Sequence, residues 1–215
     1  MKKQTGFTLI ELAIVLVIIG LLLGGVLKGQ ELINSAKVKN MVSDFKNVQV
    51  FVYGYQDKFK ALPGDDKAST THTGCTAAAN GSCVDGDGDS VIEGNWDSTT
   101  ANDESLRFWQ HIRLAGLAPG ATDPALSTFE PRNADGGRIG IQSASVAGGT
   151  PAGLNGAYVV CSAGILGKYA KQIDTTLDDG ATETGSVRVY STVAGGWLAN
   201  ANVNDSTNHN VCMAF

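Results

Sequence analysis

The sequence predicts an α+β protein in which one long N-terminal helix packs on a small antiparallel sheet. A charge-free apolar run over residues 12–27 continues into a stripe of apolar residues at helical spacing. No proline interrupts the chain between Phe7 and Leu62. Further along, short apolar segments alternate with glycine-rich turns, a pattern typical of strands. A long helix followed by such strands indicates a helical layer packed on a sheet.

The composition favours an exported, loop-rich protein over a metabolic enzyme. Charged residues make up 17% of the 215 residues, and glycine occurs 27 times. Residues 1–60 hold eight basic and four acidic residues, a net charge of +4, whereas residues 61–215 hold eight and 17, a net charge of −9. This acidic head argues against nucleic acid as a partner, because phosphate binding needs clustered lysine or arginine.

The first part of the helix is apolar enough to cross a membrane. The apolar stretch that joins residues 7–10 to the run over 12–27 is long enough to span a bilayer core, which takes about 20 helical residues. Lys2 and Lys3 precede the run, so the positive-inside rule keeps the N-terminus cytoplasmic and directs the remainder outward. No small-residue cleavage site follows the run, which disfavours an ordinary secretory signal peptide. A permanent single-pass anchor stays an alternative.

The second part of the helix is amphipathic and continues the first without a break. The two parts, over 7–28 and 29–61, form a helix of about 50 residues, or roughly 75–80 Å. One small domain does not cover such a helix, so its first part needs lipid or other apolar helices around it. The second part needs a globular layer on one face. That face is marked by residues at intervals of three and four: Val38, Met41, Phe45, Val48, Val52, Tyr55 and Phe59.

Glu11 is an acidic residue beside the apolar run. An ionised carboxylate in a membrane-spanning segment is costly, and such residues usually pair with a cation. A cut after Gly6 would give Phe7 a free ammonium group one helical turn from Glu11. In a bundle of helices, the ammonium group of an adjacent copy is an alternative partner.

The segment Gly6-Phe7-Thr8-Leu9-Ile10-Glu11-Leu12, with its basic leader and apolar run, resembles the class III signal of type IV pilins and type II secretion pseudopilins. The resemblance implies that a prepilin peptidase removes residues 1–6 by cutting between Gly6 and Phe7, and that Phe7 is then N-methylated. It also implies that Glu11 neutralises the N-terminus of an adjacent subunit and sets its register. The run lacks the proline that many pilins carry, so no kink is expected from one.

By the same resemblance, the chain is a structural subunit of a type IV pilus or a type II secretion pseudopilus. It would lie in the bacterial inner membrane with its head in the periplasm before it enters a filament. The implied partners are other copies of itself or related pilins, the prepilin peptidase and the inner-membrane assembly platform. The alternatives are a minor or priming pseudopilin, an adhesin-like pilin whose head binds a surface or ligand, and a monomeric anchored protein.

The head is expected over residues 62–215. It opens with the turn cluster Leu62-Pro63-Gly64-Asp65-Asp66, and residues 65–101 read as a long insertion loop. A helix is predicted to start at 102–105 and end by Gly116, and a short helix is expected over 165–173. Strands are expected over 138–142, 157–161, 186–190 and 210–215.

The four cysteines form no CxxC pair, and their even number in an exported chain favours two disulfides. The preferred pairing joins Cys75 to Cys83 across a short loop and Cys161 to Cys212, which ties the C-terminal tail to a strand. Four free thiols are the alternative.

The loop Asp85-Gly86-Asp87-Gly88-Asp89 and the nearby Glu93 are candidate Ca²⁺ ligands. Carboxylates at alternate positions of a glycine-rich loop can turn their oxygens onto one hard cation, and Ca²⁺ accepts six to eight oxygens. The EF-hand pattern is incomplete, because Ser90 and Trp96 stand where glycine and glutamate are expected. A solvated acidic turn is the alternative. By the resemblance to pseudopilins, the acidic turn Leu177-Asp178-Asp179-Gly180 is a second candidate calcium site.

No motif of an enzyme is present: the sequence contains no G-x-S-x-G elbow, HExxH helix or P-loop. We therefore expect a non-enzymatic protein. His111, on the predicted helix, is interpreted as a surface or capping residue. Phe108, Trp109 and Trp197 are interpreted as core or inter-subunit packing residues.

Overall fold

The computed structural model of the chain describes residues 8–150, 153–191 and 195–215. The chain divides into two compact units, Met1–Lys37 and Val38–Phe215. Helix α1 spans Leu9–Phe59, so its residues belong to both units. The second unit also contains α2 (Ser69–Thr73), α3 (Ala77–Asn80), α4 (Glu104–Leu114), α5 (Gly167–Leu177), a 3₁₀ turn (Asn200–Asn202) and the strands β1 (Ile139–Ser143), β2 (Tyr158–Leu166), β3 (Val187–Tyr190) and β4 (Asn208–Ala214).

The predicted α+β fold, a long helix and a small antiparallel sheet, is confirmed. The four strands lie in the order β1-β2-β4-β3, and every neighbouring pair is antiparallel. The helix expected over 165–173 starts later, at Gly167, because Ile165 and Leu166 still pair with β4. A register shift between Ser162 and Ile165 lets β2 continue to that point.

The main core of the second unit lies where α1, α4, α5 and one face of the sheet meet. The predicted stripe of α1 supplies six buried side chains, and Phe59 is half-buried. Alternate residues of β2 point to opposite faces of the sheet, so Val160 joins this core while Val159 and Cys161 join a smaller second cluster. The second cluster also contains Trp96, Tyr190, Cys212 and Ala214.

Helix α4 is buried along ten of its residues, 104–113, including its polar ones. Arg107, Gln110 and Arg113 satisfy backbone carbonyls of the surrounding loops instead of pointing into solvent. The accepting carbonyls belong to Asp85, Asn80, Ser82, Thr122, Ala121 and Phe129. The polar side of this helix therefore holds the loops in place.

The interpretation of His111 as a surface or capping residue is wrong. Its side chain is 1% exposed, and its Nδ1 accepts a 2.9 Å hydrogen bond from the Gly64 amide. Burial lowers the pKa of His111 to about 4, so the ring is neutral at pH 7. Gly64 has a φ of +98°, and a Cβ there would lie 2.7 Å from the Glu104 carbonyl oxygen. The turn cluster at the end of α1 is thus buried and packs against α4 through Gly64.

The segment 65–101, predicted as a long insertion loop, contains the two short helices α2 and α3. Phe108 and Trp109 are core residues, as expected, with 0% and 5% exposure. The ring of Trp197 lies 5.6 Å from that of Tyr190, edge to face, beside the smaller cluster.

Candidate functional site

The part of α1 in the first unit presents apolar side chains on every side. Every residue from 8 to 28 is exposed in the single chain. Among the described residues, α1 is the one helix long and apolar enough to cross a membrane, with a mean hydropathy of 2.8 over its most apolar stretch. Apolar surface of this extent needs a cover of lipid or of other apolar helices.

Glu11 forms a capping box with Thr8 at the start of α1. The Thr8 amide and hydroxyl donate to Glu11 Oε2 at 2.8 and 2.7 Å, and the Thr8 oxygen lies 3.4 Å from the Glu11 amide. Each residue thereby satisfies a polar group that the helix end leaves unpaired. The pattern Thr-x-x-Glu was visible in the sequence, but its capping role was missed. The predicted cleavage residues Gly6 and Phe7 lie outside the described residues.

Both disulfides of the preferred pairing are present. Cys75 bonds to Cys83, and Cys161 bonds to Cys212. The second bridge joins residues directly opposite each other on β2 and β4, and both of its cysteines are 0% exposed. It lies inside the smaller cluster, on the face of the sheet away from Val160.

The structure brings together three of the four predicted calcium ligands. One carboxylate oxygen from each of Asp87, Asp89 and Glu93 lies within 4.8 Å of the other two. Asp85 turns away, and its Oδ1 accepts hydrogen bonds from the Ser69 hydroxyl at 2.7 Å and the Thr70 amide at 2.8 Å. Calcium binding in this loop stays a prediction. Asp85 instead fixes the loop to α2 through its hydrogen bonds with Ser69 and Thr70.

Asp65 lies at the centre of the same loop, which the sequence did not suggest. Its buried carboxylate accepts hydrogen bonds from the amides of Gly88, Asp89 and Ser90 at 2.6, 3.2 and 2.8 Å. Glu104, 5% exposed, accepts the amides of Asp87 and Glu93 at 3.3 Å each. The loop thus wraps around two acids that come from the turn after α1 and from the first turn of α4.

Burial and a hydrogen bond to the Glu93 carboxyl raise the pKa of Glu104 to about 8. Because the folded pKa lies above the unfolded value near 4.5, the stability from the protonated carboxyl is complete below pH 4.5. It is lost as the pH rises towards 8.

We expect Glu104→Gln to raise the melting temperature at pH 8 by roughly 2–4 °C, corresponding to about 1 kcal/mol. Glutamine resembles the protonated acid because it is uncharged and can donate to Glu93, but its single oxygen accepts only one of the two amides that Glu104 accepts. The lost hydrogen bond offsets part of the gain. Thermal unfolding followed by circular dichroism from pH 5 to pH 8.5 tests this, and the gain over wild type should disappear near pH 5. A pH-independent difference would contradict the titration of Glu104.

Comparison with protein-family models matches residues 1–27 to the prokaryotic N-terminal methylation motif. No curated protein and no solved structure matches the chain. The resemblance to the class III signal is therefore confirmed over the leader and the apolar part of α1. The motif points to a structural protein that is a substrate of a prepilin peptidase.

Proposed function

We propose that this chain, whose N-terminal motif supports a type IV pilin-like precursor, is a structural subunit of a type IV pilus-like filament or a type II secretion pseudopilus. The observation that carries the proposal is the apolar part of α1, exposed on every side and interrupted near its start by the single acid Glu11. A permanent anchor would need the apolar surface but has no use for a carboxylate there.

Lipid covers the apolar part of α1 while the subunit waits in the inner membrane. In the filament, the α1 helices of neighbouring subunits replace that lipid. Four glycines of α1 face open space in the single chain, since a Cβ added at any of them would meet nothing within 4 Å. Their surface is therefore free for a neighbouring helix to approach closely. They are Gly20, Gly24, Gly25 and Gly29. Small residues of this kind let apolar helices approach one another.

Glu11 supplies the polar contact that sets the register of the bundle. Its Oε2 is occupied by Thr8. A carboxylate accepts up to about four hydrogen bonds, so the capping box leaves acceptor sites for an ammonium group. The methylated N-terminus of Phe7, on the same chain or an adjacent one, is the cation that processing creates.

N-terminal mass spectrometry of the mature protein tests the processing step. We expect a chain that begins at Phe7 and carries one methyl group on its amine. Thr5→Ala, a change outside the predicted scissile pair, should be processed normally, whereas a bulky residue in Gly6→Leu should block cleavage. Mature protein that still began at Met1, or that began beyond Leu27, would overturn the filament proposal.

A further inference from the structure

Helix α4 contains a buried arginine that lacks an acidic partner. Arg113 is 9% exposed, and no carboxylate among the described residues forms an ion pair with it. Its Nη1 donates to the carbonyls of Ala121 and Phe129 at 2.8 and 2.6 Å. Its Nε is buried without a partner, and its Nη2 forms no hydrogen bond within the described part of the chain. A buried positive charge of this kind is unfavourable until an anion accompanies it.

The surrounding residues hold the Arg113 guanidinium in one position. Its Cζ lies 4.9 Å from the ring centre of Phe129 and 5.7 Å from that of Trp109. A Cβ at Gly120 would lie 2.6 Å from the Arg113 Nε, so only glycine leaves room for the guanidinium there. Burial lowers the pKa of Arg113 to about 10, and the group is therefore still charged at pH 7. A charged donor that is already fixed loses little freedom when it binds an anion.

Arg113 lines a cavity of about 190 Å³ between α1, α4 and the start of β1. The exposed residues Asn47 and Arg132 also line it, so solvent reaches the cavity. Its walls are mainly apolar and include Phe51, Trp109, Pro119 and Pro131. A concave apolar surface with a few polar groups is typical of a site for a small molecule.

The same cavity contains an unpaired acid from α1. Asp44 is half-buried, and it forms no hydrogen bond or ion pair with the described residues. Burial raises the pKa of Asp44 to about 6, which leaves it mostly ionised at pH 7. Arg132 does not compensate it, because its guanidinium lies 3.8 Å from the Glu130 carboxylate and donates to the Gly136 carbonyl at 2.9 Å. The cavity thus holds one unpaired charge of each sign.

We propose that this cavity binds an apolar α-amino acid, whose carboxylate pairs with Arg113 and whose ammonium group pairs with Asp44. The planar guanidinium matches a carboxylate through its unused N–H groups. The apolar side chain of the ligand contacts the walls formed by Phe51 and Trp109.

Both charges of the cavity decide the class of ligand. A simple carboxylate would bind Arg113 but leave Asp44 unpaired, and a simple amine would bind Asp44 but leave Arg113 unpaired. An α-amino acid carries both groups on one carbon atom, so one small molecule compensates both charges. Binding in this cavity involves only residues of the second unit and does not depend on filament assembly.

Isothermal titration calorimetry of the full-length protein in detergent tests the proposal, with L-leucine as the probe. Isocaproate is leucine without its ammonium group, and isoamylamine is leucine without its carboxylate. We expect saturable binding of one L-leucine per chain, and affinities for the two analogues that are lower by roughly tenfold or more, because each leaves one charge unpaired. No saturable binding of L-leucine at millimolar concentration would overturn the proposal. Equal binding of isocaproate would also overturn it, since Asp44 would then take no part.

Asp44→Asn identifies the site, and Asp57→Asn is its matched control. Asp44→Asn should bind L-leucine only as tightly as the wild type binds isocaproate. Asp57 lies on the same helix with a 91% exposed side chain outside the cavity, so Asp57→Asn should bind L-leucine like the wild type. Unchanged binding in Asp44→Asn, or an equal loss in both variants, would contradict the assignment. Arg113 also bonds two loop carbonyls and its replacement endangers the fold, so the test rests on Asp44 and on the two analogues.

Discussion

Replacing Glu11 by alanine should reduce filament assembly at least tenfold while the precursor still inserts into the membrane. Removal of a carboxylate makes the apolar segment easier to insert. Apolar contacts between the helices of a bundle do not distinguish one helical register from the next. The correct register therefore depends on the ion pair between the Glu11 carboxylate and the N-terminal ammonium group of Phe7. We expect at least a tenfold loss of sheared filaments at an unchanged amount of membrane-bound protein, measured by immunoblotting of both fractions.

Three variants separate the charge of Glu11 from its capping role. Glu11→Gln keeps an acceptor for Thr8 but removes the charge, so it should fail like alanine. Thr8→Ala removes the capping partner and should lower assembly only modestly, because an N-cap contributes about 1 kcal/mol. Glu31→Ala removes an exposed acid of the same helix, paired with Lys28 at 2.6 Å, and should assemble normally. Normal filaments from Glu11→Ala would disprove the registry role.

The features of this fold that could be predicted from the sequence are those that local patterns of neighbouring residues determine. The stripe from Val38 to Tyr55 repeats at helical spacing, so the sequence alone specified both the helix and its buried face. The positions of all four strands were predicted within a few residues for a similar reason, since glycine-rich turns bracket them. The end of β2 was misplaced because its pairing with β4, a segment about 40 residues further on, decides where it stops.

The functional residues also divide into those that a local sequence pattern reveals and those that only the folded structure reveals. Glu11 stands out because a local pattern surrounds it. Glu104 becomes distinctive only through its burial, which a polar residue at the start of a polar helix does not reveal in the sequence. His111 was misassigned because α4 is polar by composition yet enclosed by loops that contribute carbonyls.

Opening the buried Cys161–Cys212 disulfide should destabilise the head more than opening the half-buried Cys75–Cys83 disulfide. Cys161 and Cys212 are 51 residues apart in sequence, and Cys75 and Cys83 are eight apart. Loop-closure entropy then predicts losses of about 4 and about 2.5 kcal/mol for the respective double alanine variants. At roughly 2–4 °C per kcal/mol for a chain of this size, the first loss lowers the melting temperature by roughly 8–16 °C.

Packing increases the difference between the two bridges. Cys161 and Cys212 lie inside the smaller cluster, so their sulfurs leave a cavity when replaced by alanine, whereas Cys75 and Cys83 lie outside both clusters. Circular dichroism melting of the two double variants, with reduced and oxidised wild type as references, measures both losses. Equal losses of stability would contradict the claim that chain entropy and packing make the Cys161–Cys212 bridge the more stabilising of the two. A larger loss at Cys75–Cys83 would place the weakest part of the head in the segment around α2 and α3, whose fold would then depend on its own bridge more than on the carbonyl contacts of α4.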